Sequence, residues 1–127
     1  MALSTACPKP LPRAIEKARR LKDAEAERVA VKNAVWKRDK ASCRVCGKPA
    51  EEMHELRFRS LGGRRSLENS IAVCTFRGNN CHRLLQTHAI HVEGTDANQR
   101  LVFTWNRERV PAGQEPFRIL SKRRSQR

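Results

Sequence analysis

The sequence contains no tyrosine, and aromatic residues make up only 5% of its 127 positions. Few large side chains are therefore available for a hydrophobic core, and a domain of this size benefits from a bound metal as a further source of stability. No stretch approaches the roughly 18 apolar residues that a membrane-spanning helix needs. The first residues, MALSTACPKPLPR, lack the apolar segment of a secretory signal. We therefore expect a cytoplasmic protein.

Acidic residues are also scarce, because 13 Asp and Glu stand against 27 Lys and Arg and give a formal net charge of +14. Such an excess favours a polyanionic partner, and nucleic acid is the usual one. A membrane surface is the weaker alternative. The sequence therefore predicts a nucleic-acid-binding protein with no membrane partner.

Composition divides the chain into five segments. Residues 1–12 carry three prolines and predict an extended leader, and residues 118–127 predict a basic tail. Between them we expect a basic helix within 13–40, a core over 41–90 and a hairpin extension over 91–117. Inside the core the pattern predicts strands over 52–58 and 70–74, a polar loop over 59–69 and a short helix over 81–88. The predicted fold class is α+β.

The predicted helix runs from about 13 to 38 and has apolar residues at mostly helical spacing. Neither glycine nor proline interrupts the chain between Arg13 and Gly47. One interpretation is an amphipathic helix that packs one apolar stripe on the core. The other is a cationic rod along a phosphate backbone. The two are compatible, and the stripe consists of Ile15, Ala18, Leu21, Val29 and Trp36.

Four cysteines in two pairs predict a structural zinc site. Two residues separate Cys43 from Cys46, a spacing that lets both thiolates reach one ion at about 2.3 Å. Six residues separate Cys74 from Cys81, where zinc ribbons usually have two, but Gly78 and two asparagines allow a bulged loop. In the cytoplasm paired cysteines are more often metal ligands than disulfides. The alternative is four ordinary buried or free cysteines, and Cys7, in the leader, we take as incidental.

The order of motifs around these cysteines resembles the HNH endonuclease family, in its zinc-ribbon branch with a ββα-metal core. The matching pieces are Cys43/Cys46, His54-Glu55-Leu56, Gly62-Gly63, Asn69-Ser70-Ile71 and Cys74/Cys81-His82. The resemblance covers about residues 36–90, and it extends to family members near phage packaging genes. It implies a metal-dependent endonuclease of DNA, some relatives of which nick one strand, in a bacterial or phage-infected cell. RNA as the substrate stays open, as does the choice between monomer and homodimer.

The resemblance also implies roles for the polar residues. His54 and His82 would hold a catalytic divalent ion, Mg²⁺ or Mn²⁺, and Asn69 would brace the loop through backbone hydrogen bonds. Glu55 stands where relatives place the general base. The reverse assignment, with His54 as the base and Glu55 on the ion, stays open. Neighbouring strand residues point to opposite faces, so only one of the two assignments can be right.

Each of these residues also has an ordinary interpretation. His54 could be a half-buried strand histidine, Asn69 a turn residue, and Glu55 the partner of a nearby arginine. His82 could be a zinc ligand in place of a cysteine. His88 and His91 are either incidental or contact phosphate.

A group of arginines beside the predicted site would grip phosphates on either side of the cleaved bond. Two further function classes remain open: a zinc-ribbon module that binds nucleic acid without cutting it, and a basic zinc-stabilised domain that contacts an acidic protein. The ordinary interpretation of these arginines is a solvated basic loop. They are Arg57, Arg59, Arg64 and Arg65.

Overall fold

The computed structural model describes residue 9 and residues 11–120. Most of the predicted leader, with Cys7, and residues 121–127 of the predicted tail lie outside the described residues. The predicted α+β class is confirmed. No helix among the described residues is long and apolar enough to cross a membrane. The elements are α1 (Arg13–Asp39), β1 (Glu52–Glu55), β2 (Ser70–Val73), α2 (Cys81–Gln86), β3 (Ile90–Glu93) and β4 (Val102–Trp105), with single 3-10 turns at Arg59–Leu61, Leu67–Asn69 and Arg107–Arg109.

Helix α1 begins and ends within one residue of its predicted bounds. It ends because Lys40 takes a left-handed conformation (φ 56°), and the backbone N–H of Ala41 donates to the carbonyl of Trp36 at 2.8 Å. Basic side chains in the last turn stabilise the helix, because they lie at the negative end of its dipole.

The apolar stripe predicted along α1 does not pack on the core, so this interpretation is wrong for most of the helix. Val35 is the one fully buried residue of α1, whereas Ile15, Leu21 and Val29 are 54%, 62% and 42% exposed. The physical reason is length: 27 residues span about 40 Å, and the body of the protein supports only the C-terminal turns.

The strands form two separate sheets, each of two antiparallel strands. β1 pairs with β2, so that His54 lies opposite Ile71, and β3 pairs with β4, so that Val92 lies opposite Phe103. Every residue of β2 is buried, because β1 pairs along it and α1 contacts it. The predicted hairpin over 90–92 and 100–105 is thus confirmed, with β4 beginning two residues later than predicted.

Three predicted elements are shorter than expected. β1 ends at Glu55 rather than at 58, because the Asn69 side chain takes both backbone groups of Arg57 out of the strand ladder. β2 ends one residue before Cys74. α2 ends at Gln86, and His88 beyond it is left-handed (φ 62°), so the chain turns directly into β3.

One hydrophobic cluster joins both sheets, α2 and the cysteines. It includes Ile71, Val73, Leu84, Leu85, Ile90, Leu101 and Phe103, together with Cys43, Cys74 and Cys81. The inward orientation predicted for Leu84 and Leu85 is confirmed by exposures of 3% and 4%. Residues from β3 and β4 therefore share the core of β1, β2 and α2. Near the C-terminus Ile119 is buried, and the N–H of Leu120 donates to the carbonyl of Val45 at 2.8 Å.

An ion-pair cluster that the sequence analysis missed holds the end of α1 against the body. The Asp39 carboxylate, 2% exposed, accepts from Arg38 Nε at 2.8 Å, Arg44 Nη1 at 3.0 Å and the Ala72 N–H at 3.0 Å. The two guanidinium groups continue to backbone carbonyls of Leu67, Ser70, Ala97 and Gln99. Arg38, at the end of the helix considered as a cationic rod, and Arg44 are thus engaged in structural contacts.

Candidate metal centre and histidine pair

The four predicted cysteine ligands converge. The Sγ atoms of Cys43, Cys46, Cys74 and Cys81 all lie within 4.8 Å of one another, and those of Cys46 and Cys74 are 3.6 Å apart. Four sulfurs at about 2.3 Å from one tetrahedral zinc ion would be about 3.8 Å apart. All four are free thiols rather than disulfides. The donor set and the spacing fit a structural zinc ion that is closed to substrate.

Local backbone geometry explains why these sulfurs meet. Gly47 (φ 82°) lets the chain turn back after Cys46, and its N–H donates to the Cys43 carbonyl at 2.9 Å. In the second half, a Cβ atom on Gly78 would lie 2.8 Å from the Cβ of Cys74, so only glycine allows the loop to close over that cysteine. The six-residue gap is therefore accommodated by a bulged loop, as predicted.

The thiols perturb one another strongly. A hydrogen bond from Cys43 lowers the pKa of Cys46, and a hydrogen bond from Cys43 also lowers the pKa of Cys74, to about 6. The pKa of Cys43 and that of Cys81 are raised, chiefly by hydrogen bonds with neighbouring cysteines. Because zinc binds thiolates, the ion would displace the thiol protons. All four sulfurs would then be deprotonated, and the hydrogen bonds between them would be lost.

His54 on β1 and His82 on α2 lie side by side. Their ring centroids are 5.6 Å apart at an interplanar angle of 77°. Two imidazoles that share an ion at about 2.1 Å from each ligating nitrogen would have centroids roughly 5 Å apart. His54 is placed by its strand register, and His82 by its N–H, which donates to the Cys74 carbonyl at 3.1 Å. The pair is therefore tied directly to the cysteine cluster.

Both imidazoles favour the neutral form. Burial lowers the pKa of His54 to about 4, helped by the charges of His82 and His88. Burial also lowers the pKa of His82, although Glu52 opposes the shift. Neutral imidazole has a free nitrogen lone pair at neutral pH and is the form that binds a metal.

Glu55 lies next to His54 on β1, opposite Ser70, and is half-buried. Neighbouring strand residues face opposite sides of the sheet, so Glu55 approaches the histidine pair from the other face. Within residues 9 and 11–120, the four cysteines form the one group of three or more ligating side chains within reach of a single ion. The histidine pair thus offers two ligands, and Glu55 does not converge with them.

Asn69 joins the two sides of the loop after β1. Its Oδ1 accepts from the Arg57 N–H at 2.9 Å, and its Nδ2 donates to the carbonyls of Arg57 and Arg64 at 3.0 and 2.8 Å. Gly63 packs here too, where a Cβ atom would lie 1.8 Å from the Arg57 carbonyl oxygen. The loop is therefore fixed by backbone contacts through Asn69, the kind of bracing expected from the sequence.

The predicted arginines do not form one free cluster. Arg57 Nε donates to the Leu61 carbonyl at 2.6 Å, and Arg65 Nη1 donates to the Ala24 carbonyl of α1 at 3.3 Å. Arg64 is exposed. The Arg59 side chain lies outside the part of the chain that the structure describes. Arg65 therefore contacts the helix as well as the loop.

A pocket of about 230 Å³ opens beside His54. Arg57, His88 and His91 line it, and its remaining walls are apolar: Leu56, Phe58, Leu61, Leu85, Ile90 and Val92. Sequence spacing along α2 gave His88 no clear role, because the helix ends before it. The left-handed turn at His88 and the start of β3 bring both exposed histidines to this pocket, which no sequence signal could have shown.

Comparisons with protein-family models, with curated proteins and with solved structures found no match.

Proposed function

We propose that this protein is a metal-dependent endonuclease that hydrolyses phosphodiester bonds of DNA and cuts one strand per active site. The observation that supports the proposal most is the pairing of His54 and His82 next to a four-cysteine cluster, in a chain of net charge +14. The arrangement of β1, β2 and α2 around this pair is compatible with the ββα-metal core of the HNH family.

In this mechanism the two imidazoles would hold a divalent ion, Mg²⁺ or Mn²⁺, beside the phosphate. The chemistry supplied by such an ion would be neutralisation of the phosphate charge and stabilisation of the departing oxygen. Glu55 is the general base that activates water. The reverse assignment gives His54 the role of base and Glu55 that of ligand. The proximity of His54 to His82 supports His54 as a ligand of the ion, as in the first assignment.

A zinc ion held by the four cysteines would fix the positions of the catalytic groups. Cys81 comes directly before His82, and Cys74 receives the hydrogen bond from the His82 N–H. Asn69 holds the loop that carries Arg57 and Arg64, which would contact phosphates. In this proposal the pocket with His88 and His91, beside His54, would receive a phosphate of the bound strand.

A second candidate function is a zinc-ribbon module that binds nucleic acid without cutting it. The observation in its favour is that, among the described residues, no third ligating side chain joins His54 and His82. Mg²⁺ usually keeps several waters and takes only one or two protein ligands together with substrate phosphates, so a pair of ligands is compatible with the enzyme, which we favour.

Nicking of supercoiled plasmid separates the two functions. Protein stripped of metal and refolded with zinc alone should bind plasmid without cutting it, and added Mg²⁺ or Mn²⁺ should produce open circles. His82→Ala should retain zinc and lose cutting, whereas Gln86→Ala, an exposed change on the same helix, should cut normally. Binding with no cutting under any divalent ion would favour the second function.

A further inference from the structure

Phe76 lies in the loop between the last two cysteine ligands and is 79% exposed, more than any other large apolar residue in the described part of the chain. A single exposed apolar side chain is ordinary by itself. Two features distinguish Phe76: the loop that carries it is held by several hydrogen bonds, and a positively charged arginine lies beside its ring.

The loop that carries Phe76, residues 75–80, is held at many points. The Thr75 carbonyl accepts from the N–H of Gly78 at 2.8 Å and from that of Asn80 at 3.1 Å. The Thr75 N–H donates to Glu51 Oε1 at 3.4 Å. Gly78 packs on Cys74, and both ends of the loop are cysteines of the cluster. Phe76 is thus presented to solvent on a preorganised loop, so little conformational entropy is lost when it binds a ligand.

Arg77 adds a positive charge beside the ring. Its guanidinium carbon lies 5.8 Å from the Phe76 ring centroid, and its Nε lies 3.6 Å from Glu51 Oε2. The Arg77 side chain is 78% exposed, so this ion pair is weak and a phosphate can replace the carboxylate. An exposed aromatic ring beside an exposed arginine is the combination that binds unpaired nucleic acid, because the ring stacks on a base and the arginine meets the backbone.

The loop also lies close to the histidine pair. Phe76 is two residues from Cys74, whose carbonyl accepts from the His82 N–H at 3.1 Å. The Cα atoms of Phe76 and His82 are therefore within about 12 Å of each other. Glu51, which contacts this loop twice, comes directly before β1, the strand of His54.

We infer that residues 75–80 form a binding element for single-stranded or unstacked DNA, in which Phe76 stacks on an unpaired base and Arg77 contacts the adjacent phosphate. The inference rests on the proposed function for the identity of the polymer. It narrows the substrate class to DNA with an unpaired base near the cut.

Binding measured without cutting tests this inference. Fluorescence anisotropy would measure the affinity of the zinc-loaded full-length protein, without Mg²⁺ or Mn²⁺, for labelled oligothymidylate and for a labelled blunt duplex. Phe76→Ala should weaken single-strand binding by about 5-fold to 100-fold, the range for loss of one aromatic stacking partner, and duplex binding by less than about 2-fold. Phe76→Trp should restore the single-strand affinity.

Leu21→Ala is the matched control, because it removes another exposed apolar side chain, 62% exposed on α1, away from the loop. Zinc content and melting temperature should not change in either alanine variant, since neither residue is part of the core.

The possible results separate failure of the stacking role from failure of the proposed endonuclease activity. Equal losses on both DNAs, or no loss with Phe76→Ala, would overturn the stacking role whatever the enzyme does. A wild-type protein that binds neither DNA at low salt would overturn the stacking role and the DNA substrate together. A Phe76-dependent single-strand preference without any cutting would support the binding element and remove the proposed activity.

Discussion

The imidazoles of His54 and His82 lie 5.6 Å apart, nearly perpendicular, although one is on a strand and the other on a helix. Cys81, directly before His82, and the hydrogen bond from His82 to Cys74 place the second ring. The position of the histidine pair therefore depends on the cysteine cluster.

Removal of zinc should unfold the region around β1, β2 and α2. Structural zinc contributes about 10–16 kcal/mol of apparent binding free energy in small zinc domains, more than the stability of a typical domain. A strong chelator should abolish cooperative thermal unfolding measured by circular dichroism, and zinc should restore it. Elemental analysis should find one zinc ion per chain, and Cys46→Ser should lower that content. An unchanged melting temperature after complete metal removal would contradict the structural role.

Substitutions at Glu55 and His54 should separate the base from the ligand. With Glu55 as the base, Glu55→Gln should lower the nicking rate by about 10²–10⁴-fold and leave the half-saturating Mn²⁺ concentration unchanged. His54→Asn should raise that metal concentration. The opposite pattern would assign the base to His54. A Glu55→Gln variant that cuts at the wild-type rate would exclude the carboxylate from both roles.

Asn69→Ala should destabilise the loop after β1. It removes three hydrogen bonds to the backbone of Arg57 and Arg64, each contributing about 1 kcal/mol. We expect a loss of about 2–3 kcal/mol in the free energy of unfolding, measured by urea denaturation of the zinc-loaded protein. Asn69→Asp keeps the acceptor for the Arg57 N–H but sets a carboxylate oxygen against the carbonyl oxygens of Arg57 and Arg64, so its loss should be at least as large as that of the alanine variant. A loss below about 0.5 kcal/mol for the alanine variant would show that water replaces the side chain.

Asp39→Asn should lower stability by about 3 kcal/mol, because it leaves Arg38 and Arg44 half-buried without their carboxylate. Burial tends to raise the pKa of Asp39, but hydrogen bonds from Arg38 and the Ala72 N–H and the charge of Arg44 together lower it below its ordinary value of 3.8. A carboxyl group with a lowered folded pKa contributes its full stabilisation above the unfolded value, and that contribution is lost as the pH falls through the folded pKa.

The difference in the free energy of unfolding between wild type and Asp39→Asn should therefore stay constant from pH 8 to pH 5. Urea unfolding of the zinc-loaded proteins at each pH measures this difference. A difference that shrinks across this range would mean that the pKa of Asp39 is raised instead. Glu108→Gln, an exposed carboxylate in the last 3-10 turn, is the control and should have little effect.

DNA affinity should depend steeply on salt. If about six Lys and Arg side chains neutralise phosphates, the logarithm of the association constant should fall with the logarithm of salt concentration at a slope near −5. Arg64→Ala, at an exposed position of the loop, should reduce the slope by about 1. Arg38→Ala should leave the slope unchanged, since its guanidinium is bound to Asp39 and to backbone carbonyls. Isothermal titration at several salt concentrations measures both, and a flat salt response would refute the electrostatic contribution.

Local patterns predicted the elements well where one segment decides its own structure. An uninterrupted run without glycine or proline predicted α1 to within a residue. The spacing Cys43–Cys46 predicted half a zinc site, and the four sulfurs do converge. These predictions succeed because helix continuity and short ligand spacings depend on neighbouring residues alone.

The sequence could not predict contacts that join distant segments. Arg38 belongs to the helix that could have been a cationic rod, yet Arg38 and Arg44 bind Asp39 and backbone carbonyls from two distant segments, around residues 67–70 and 97–99. The apolar stripe of α1 read as a core face, yet most of it is exposed because the body is shorter than the helix.

By itself the sequence determined the positive charge, the four clustered cysteines and the presence of one imidazole between the two cysteine pairs and others after the second pair, because residue identity fixes charge and ligand chemistry. Only the tertiary structure decided that His54 meets His82, that Glu55 stays apart from them, and that His88 and His91 reach the same pocket. Those distances arise from strand pairing and from a left-handed turn, and neither is encoded in the spacing of the residues concerned.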